Sequence, residues 1–277
     1  MKYETVHSVT LPKIGFGTWS IGGGSYADPS LDSASMTALR SALETGYTHF
    51  DTAEAYAAGH CEELVGRVIR ETNMKREDVF ITTKVSPEHL RYDDVLRSCE
   101  NSLRRLNMEY LDLYLIHWPG NGTNYADAFR ALNKLVQDGK VRHLGVSNFK
   151  VKLLREAQRY AETPILTDQV PYNLPDRTYV ENGVVDYCQQ NNVLVTAYSP
   201  VKFRNLAANK TLQAIAEAHS ATPYQIALAW LAAQPRLITI PMSYNPQHIR
   251  ENFQAGEVEL SPSEITQLKD LYSRNRD

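Results

Sequence analysis

The sequence predicts an α/β fold: a single (β/α)8 TIM barrel over residues 1–277, with an N-terminal β-hairpin at the barrel bottom. Three observations carry this expectation. Eight short β-branched runs recur along the chain, helical patterns fill the intervals, and no Pro/Gly/Ser-rich linker interrupts the series. Strands alternating with helices read as βαβ units, and eight units of this kind suit a closed barrel.

The residues before Ile14, "MKYETVHSVTLPK", form the expected hairpin. The first barrel strand is "IGFGT", and the glycine-rich "SIGGGSYADPS" after it (residues 20–30) forms a movable wall at the barrel mouth. Met36, Leu39, Ala42 and Leu43 then recur at helical spacing, and the helix closes at Gly46, which accepts a left-handed cap conformation. The second, third and fourth strands are "THFDTA", "VFITTKV" and "LDLYLIHW". A helical stripe of Phe129, Leu132, Leu135 and Val136 closes at Gly139, ahead of the fifth strand, "HLGVSNF". The sixth and seventh strands are "ILTDQV" and "VLVTAYS". Two helical segments, residues 212–219 and 223–233, precede the eighth, "LITIPMS".

Bulk properties narrow the function. At 43% hydrophobic and 22% charged residues, the chain can bury a substantial core. A formal charge of −3 gives no basic footprint for nucleic acid or an anionic membrane. The opening "MKYETVHSVTLPKIG" lacks an apolar leader stretch, and no apolar run reaches membrane-spanning length. Cys61, Cys99 and Cys188 are widely separated and form no C-x-x-C pair, so neither a disulfide framework nor a zinc site is expected. His49, His60, His143 and His219 show no metal spacing either. The expected setting is a reducing cytoplasm, with a small molecule as partner and no metal, nucleic acid or membrane.

The sharpest signal is an interval. Asp51, Lys84 and His117 are separated by two equal steps, each about one β/α unit, and each ends its strand: "THFD", "ITTK", "YLIH". Period-two alternation puts Lys84 on the face of Thr82 and Phe80, and His117 on the face of Leu115 and Leu113. Neighbouring parallel strands lie about 4.8 Å apart, so in register the three side chains stand side by side. They stand at the carboxyl-terminal mouth, where this fold builds active sites. Tyr56, a short loop past Asp51, folds back over them. Lys84 alone reads as a surface lysine and His117 alone as a satisfied core histidine; the shared interval reverses both readings.

This grouping has a chemistry. A free phenol, with a pKa of about 10, is a poor acid near neutrality. A neighbouring ammonium favours the phenolate and shifts such a pKa by roughly 1–3 units, which makes Tyr56 a candidate general acid. Asp51 keeps Lys84 charged and aimed, since an unpaired ammonium at a partly dry mouth is costly. His117 offers a donor to a substrate oxygen. A proton delivered to a carbonyl oxygen requires a hydride delivered to its carbon.

The segments "GFGTW", "FDTAEAY", "TTKV", "DLYLIHWP", "GKVRHLGVSNF", "DQVPYN", "TAYSP" and "IPMS…IRENF" occur in that order from Leu11 onward. In this combination the chain resembles the aldo-keto reductases. The resemblance implies NAD(P)H-dependent reduction of aldehydes and ketones, or the reverse oxidation, by a monomer acting on a small carbonyl compound. It implies Tyr56 as proton donor, Lys84 and Asp51 as its tuning pair, and His117 as the residue that orients the carbonyl. It also implies that Ser147, Asn148 and Gln169 bind the nicotinamide carboxamide and that Tyr198 stacks on its ring. Gly17, Thr18 and Asp51 are implied to face the cofactor. Residues 199–206 are implied to run along the pyrophosphate, including Ser199, Pro200, Arg204 and Leu206. Ser243, Glu251 and Asn252 are implied at the adenosine end, and Trp19 and Trp118 as aromatic walls for substrate.

The chain departs from the family pattern at three places. Met242 and His248 stand where many members carry the Lys and Arg that pair with the 2′-phosphate of NADPH, so the expected preference between NADP(H) and NAD(H) is near even. Arg250 does not replace His248, since two helical steps turn it about 200° away. Ser86 stands where many members carry a Trp, and the chain ends soon after its last helix, so an open substrate site is expected. Tyr172 and Tyr244 are expected only to pack. A non-catalytic cofactor-binding sensor or structural subunit of the same family remains an alternative, as does a lyase using Lys84 covalently. "GFGTWS" is a weak near-match to a dinucleotide fingerprint, because no helix follows it directly.

Overall fold

We describe residues 1–272 of a computed structural model of the chain. The end of the domain expected over 1–277, residues 273–277, lies outside the described residues.

The chain opens with an antiparallel hairpin, β1 (Tyr3–Val6) and β2 (Val9–Pro12), pairing Val6 with Val9. His7 and Ser8 both take left-handed φ, at 47° and 66°, as a two-residue hairpin turn demands. Eight parallel strands follow: β3 (Phe16–Gly17), β4 (His49–Asp51), β5 (Phe80–Val85), β6 (Leu111–Ile116), β7 (Val141–Ser147), β8 (Ile165–Pro171), β9 (Leu194–Tyr198) and β10 (Leu237–Thr239). They lie in sequence order, each paired with the next, and all eight coincide with the β-branched runs. The ring closes where Ile14 bridges Thr239. The Gly15 N–H donates to Thr239 O at 2.8 Å, Thr239 N–H to Lys13 O at 2.9 Å, and Gly17 N–H to Pro241 O at 3.1 Å.

Helices fill the intervals: α1 (Asp32–Thr45), α2 (His60–Glu71), α3 (Tyr92–Leu106), α4 (Tyr125–Gln137), α5 (Val151–Tyr160), the short α6 (Thr178–Glu181) with α7 (Val184–Gln190), α8 (Lys210–Ala218), α9 (Pro223–Ala232), α10 (Pro246–Gln254) and α11 (Pro262–Asp270). The α1 stop is the expected one, with Gly46 at φ 107° and its N–H returned to Ala42 and Leu43. On α4 the stripe Phe129, Leu132 and Leu135 is buried. The two helices expected before the eighth strand are α8 and α9. No helix among the described residues is long and apolar enough to cross a membrane.

Strand alternation divides the apolar residues into two cores. The larger lies between sheet and helices. The smaller lies inside the barrel, where Leu113, Leu115, Leu166, Leu194 and Ile238 meet Val6 and Leu11 of the hairpin. The hairpin therefore closes the barrel bottom with apolar side chains. Lys13 pins it there, donating to Glu4 at 2.5 Å and to the carbonyls of Gln234 and Leu237 at 2.8 and 3.1 Å.

Candidate active site

The strand ends opposite the hairpin bring the predicted tetrad together. Lys84 is fully buried, and its Nζ donates to Asp51 Oδ1 at 2.6 Å, Thr52 O at 2.8 Å and Tyr56 Oη at 3.2 Å. The second carboxylate oxygen of Asp51 accepts from Gln169 Nε2 at 2.7 Å. The Tyr56 ring meets His117 edge-on at 5.6 Å and Trp19 edge-on at 5.0 Å. In the hydrogen-bond register Asp51 is level with Thr82, and Lys84 with Leu115. Lys84 and His117 each stand higher on their own strand than the side-by-side arrangement expected from sequence. The tilt of barrel strands compensates for that stagger.

A short, strained turn delivers Tyr56. Its N–H bonds Ala53 O at 3.1 Å, and the next residues, Ala57 and Ala58, take left-handed φ of 48° and 53° before Gly59 at 94°. Each non-glycine residue held this way costs roughly 1–2 kcal/mol, which the surrounding contacts must offset. Ala57 is buried, and its N–H is satisfied by Gly24 O at 2.8 Å.

Burial dominates the electrostatics. It pushes the Tyr56 phenol above its ordinary value; the Lys84 ammonium pulls it back and the Asp51 charge pushes it up again. Lys84 acts in the direction expected from the sequence, but desolvation outweighs it and the net direction is upward. Burial also works against the charge on Lys84, but Asp51 and then Tyr56 more than offset it, and the lysine is held above its usual range. His117 is pushed down to about 3 by burial and by Lys84, so its imidazole is neutral near pH 7. A neutral ring carries one N–H donor.

A cleft of about 650 Å³ opens above this group. Asp51, Tyr56 and His117 line it, while Lys84 lies beneath. Trp19 and Trp118 stand at its rim, 48% and 47% exposed, as aromatic walls open to solvent. Of the predicted cofactor residues, Gly17, Thr18, Ser147, Asn148, Gln169, Tyr198, Ser199, Pro200 and Met242 line the cleft. Four of them are bonded together. Ser147 Oγ donates to Gln169 O at 2.8 Å, Asn148 Nδ2 to Ser147 Oγ at 2.9 Å, and the Tyr198 hydroxyl to Asn148 Oδ1 at 2.9 Å. Two amides, a hydroxyl and an aromatic face suit a nicotinamide, whose carboxamide both donates and accepts.

Six predicted cofactor residues do not line the cleft. Leu206 is buried in the apolar core, and Arg204 and His248 are exposed. Ser243 is half-buried, with its Oγ accepting from Asn245 N–H. Glu251 accepts from Gln247 along α10, and Asn252 is buried on the same helix. Ser20, Val201, Lys202, Ile240 and Pro241 line the cleft but were not singled out from sequence. Val201 and Lys202 lie inside the segment assigned to the pyrophosphate, and Ser20 opens the glycine-rich segment expected as a wall; those positions are the available signal. Among the described residues no His/Cys/Asp/Glu cluster is placed to hold a metal.

The chain is similar to known proteins along nearly its whole length. The model of the Aldo/keto reductase family matches residues 13–273. The chain is 38% identical to methylglyoxal reductase of Escherichia coli over 270 residues, 95% of this chain and 92% of that protein. It is 37% identical to glyoxal reductase of Bacillus subtilis over 270 residues, 98% of this chain and 92% of the other. A thermostable aldo-keto reductase crystallised with the inhibitor epalrestat superposes with a TM-score of 0.93 at 45% identity, covering 98% of this chain and 100% of that one. An aldo/keto reductase from Klebsiella pneumoniae, crystallised with NADP and acetate, gives a TM-score of 0.88 at 35% identity, covering 100% of this chain and 97% of the other.

Proposed function

Since the chain belongs to the aldo/keto reductase family and is an oxidoreductase, we propose that it reduces small aldehydes and ketones with NADPH or NADH, using Tyr56 as the general acid. One observation carries the assignment: the buried Lys84 Nζ is bonded to both Asp51 and the Tyr56 hydroxyl at the floor of the cleft.

The roles follow from those contacts. A phenol held above its ordinary pKa keeps its proton at neutral pH, as an acid waiting for an alkoxide must. When the proton leaves, the ammonium 3.2 Å away stabilises the phenolate. Asp51, fixed in turn by Gln169, keeps that ammonium in place. Neutral His117 directs an N–H toward the carbonyl oxygen, and Trp19 and Trp118 flank the carbonyl compound. Ser147, Asn148 and Gln169 would hold the carboxamide of a nicotinamide cofactor, with Tyr198 against its ring. That cofactor supplies the hydride. Because Lys84 is fully buried and already bonded three ways, Schiff-base chemistry is disfavoured.

The Klebsiella pneumoniae structure contains NADP, which supports a nicotinamide dinucleotide here. The near-even preference between NADPH and NADH rests on Met242 and His248. The relatives' names point to small dicarbonyls, glyoxal and methylglyoxal, as first substrates to try.

The test is turnover of 4-nitrobenzaldehyde and methylglyoxal with each cofactor, read at the nicotinamide absorbance. Tyr56→Phe is expected to lower kcat by roughly 10²–10⁴-fold, the usual contribution of a positioned acid. Retention of full activity by that variant refutes the assignment.

A further inference from the structure

Four of the contacts that fasten the loop between β3 and α1 bear on the cleft. Thr18 donates from its N–H and its Oγ1 to Asp51 O, at 3.0 and 2.8 Å. Trp19 lies edge-on to the Tyr56 ring at 5.0 Å. Gly24 O accepts the Ala57 N–H at 2.8 Å, at the left-handed turn that carries Tyr56. These three hold the loop to the end of β4 and to the turn that carries Tyr56. The fourth reaches the other way: the Tyr244 hydroxyl donates to Ser20 O. Tyr244 lies two residues past Met242, which lines the cleft on the proposed cofactor side. Ser20 is itself left-handed, at φ 82°, and its carbonyl also accepts the Gly23 N–H at 3.1 Å. The tie therefore sits at the start of the turn that leads from Trp19 to Gly24.

We propose that Tyr244 is a positioning residue for proton transfer. Its bond to Ser20 braces Trp19 on one flank of Tyr56 and the Gly24–Ala57 bond on the other, and so keeps the phenol on Lys84. Tyr244 acts through the loop. A single tyrosine thereby links the segment after β10 to the turn that carries the acid. This role rests on Tyr56 being the acid and adds to it a residue from the far side of the barrel seam.

The experiment compares Tyr244→Phe, Tyr56→Phe and the double variant by kcat and KM for 4-nitrobenzaldehyde, with cofactor Kd from fluorescence titration. Phenylalanine keeps the ring and removes only the hydroxyl. Tyr244→Phe is expected to lower kcat about 3–10-fold while the cofactor Kd stays within about twofold, the pattern of an interaction made in the transition state. In the Tyr56→Phe background the same change is expected to cost nothing further, because no phenolic proton remains to be placed. An unchanged kcat in Tyr244→Phe, or an equal loss in both backgrounds, overturns the proposal. Wild-type kcat in Tyr56→Phe alone instead overturns the acid assignment, so the two failures are distinct.

Discussion

At Lys84 a fully buried ammonium makes three hydrogen bonds. Its bond to Asp51 was legible from equal intervals and strand ends, and its bond to Tyr56 from the short loop past Asp51, whereas the Thr52 carbonyl carried no signal. The direction of the Tyr56 pKa was not legible. It depends on how much water the folded mouth excludes, and a list of neighbouring charges leaves that out. The role argued for Tyr244 was hidden for another reason: its partner, Ser20, is 224 residues away, with no periodic signal to join them. The residue-scale prediction concerns cofactor choice. Met242 lines the cleft and His248 is exposed on α10. Replacing them as Met242→Lys with His248→Arg adds two cations near a 2′-phosphate. A charge-assisted hydrogen bond contributes about 1.5–3 kcal/mol, and exposure reduces that. The kcat/KM ratio for NADPH over NADH is expected to rise about tenfold, and an unchanged ratio refutes the assignment of these positions to the adenosine end.

Among the elements, α1 and α2 are joined by a titratable link. His60 at the start of α2 bonds Glu63 at 2.9 Å and Asp32 of α1 at 2.8 Å. Burial works against the charged ring, but these carboxylates outweigh it and hold His60 above its ordinary value of 6.5. The folded state thus binds the proton more tightly than the unfolded chain. The added stability is fully present below pH 6.5 and is lost as pH rises through the folded-state value. Thermal melts of His60→Asn are expected to show a smaller fall in Tm between pH 6 and pH 8 than the parent. A parent with no such fall removes the argument. The strands were legible as β-branched runs, since propensity and pattern agree there. The two-residue length of β3 was not, because the pairing of "IGFGT" is divided between β4 on one side and the closing contacts with Thr239 and Pro241 on the other.

For the whole molecule, the seam between β3 and β10 decides whether the barrel closes. A Cβ at Gly17 would come within 2.6 Å of the Ile240 carbonyl oxygen, a backbone atom that cannot swing aside. Gly17→Ala is therefore expected to part the seam and destabilise the fold by about 1–3 kcal/mol, as overpacking does. It is also expected to weaken cofactor binding, since Gly17, Ile240 and Pro241 share the cleft. Urea midpoints and fluorescence titration check both, with Gly24→Ala as a tolerated control because nothing stands within 4 Å of its Cβ. Barrel and hairpin were foreseen because eight units need closure and a floor.

Lys13 reaches the carbonyls of Gln234 and Leu237, so the floor of the barrel is fastened by the last part of the ring to be translated. A nascent chain that has not yet emerged through β10 has its interior leucines in place but lacks these anchors for Lys13. Ribosome-bound fragments ending short of Leu237 would remain protease-sensitive throughout, and protection would arrive in one late step once the last strand clears the exit tunnel.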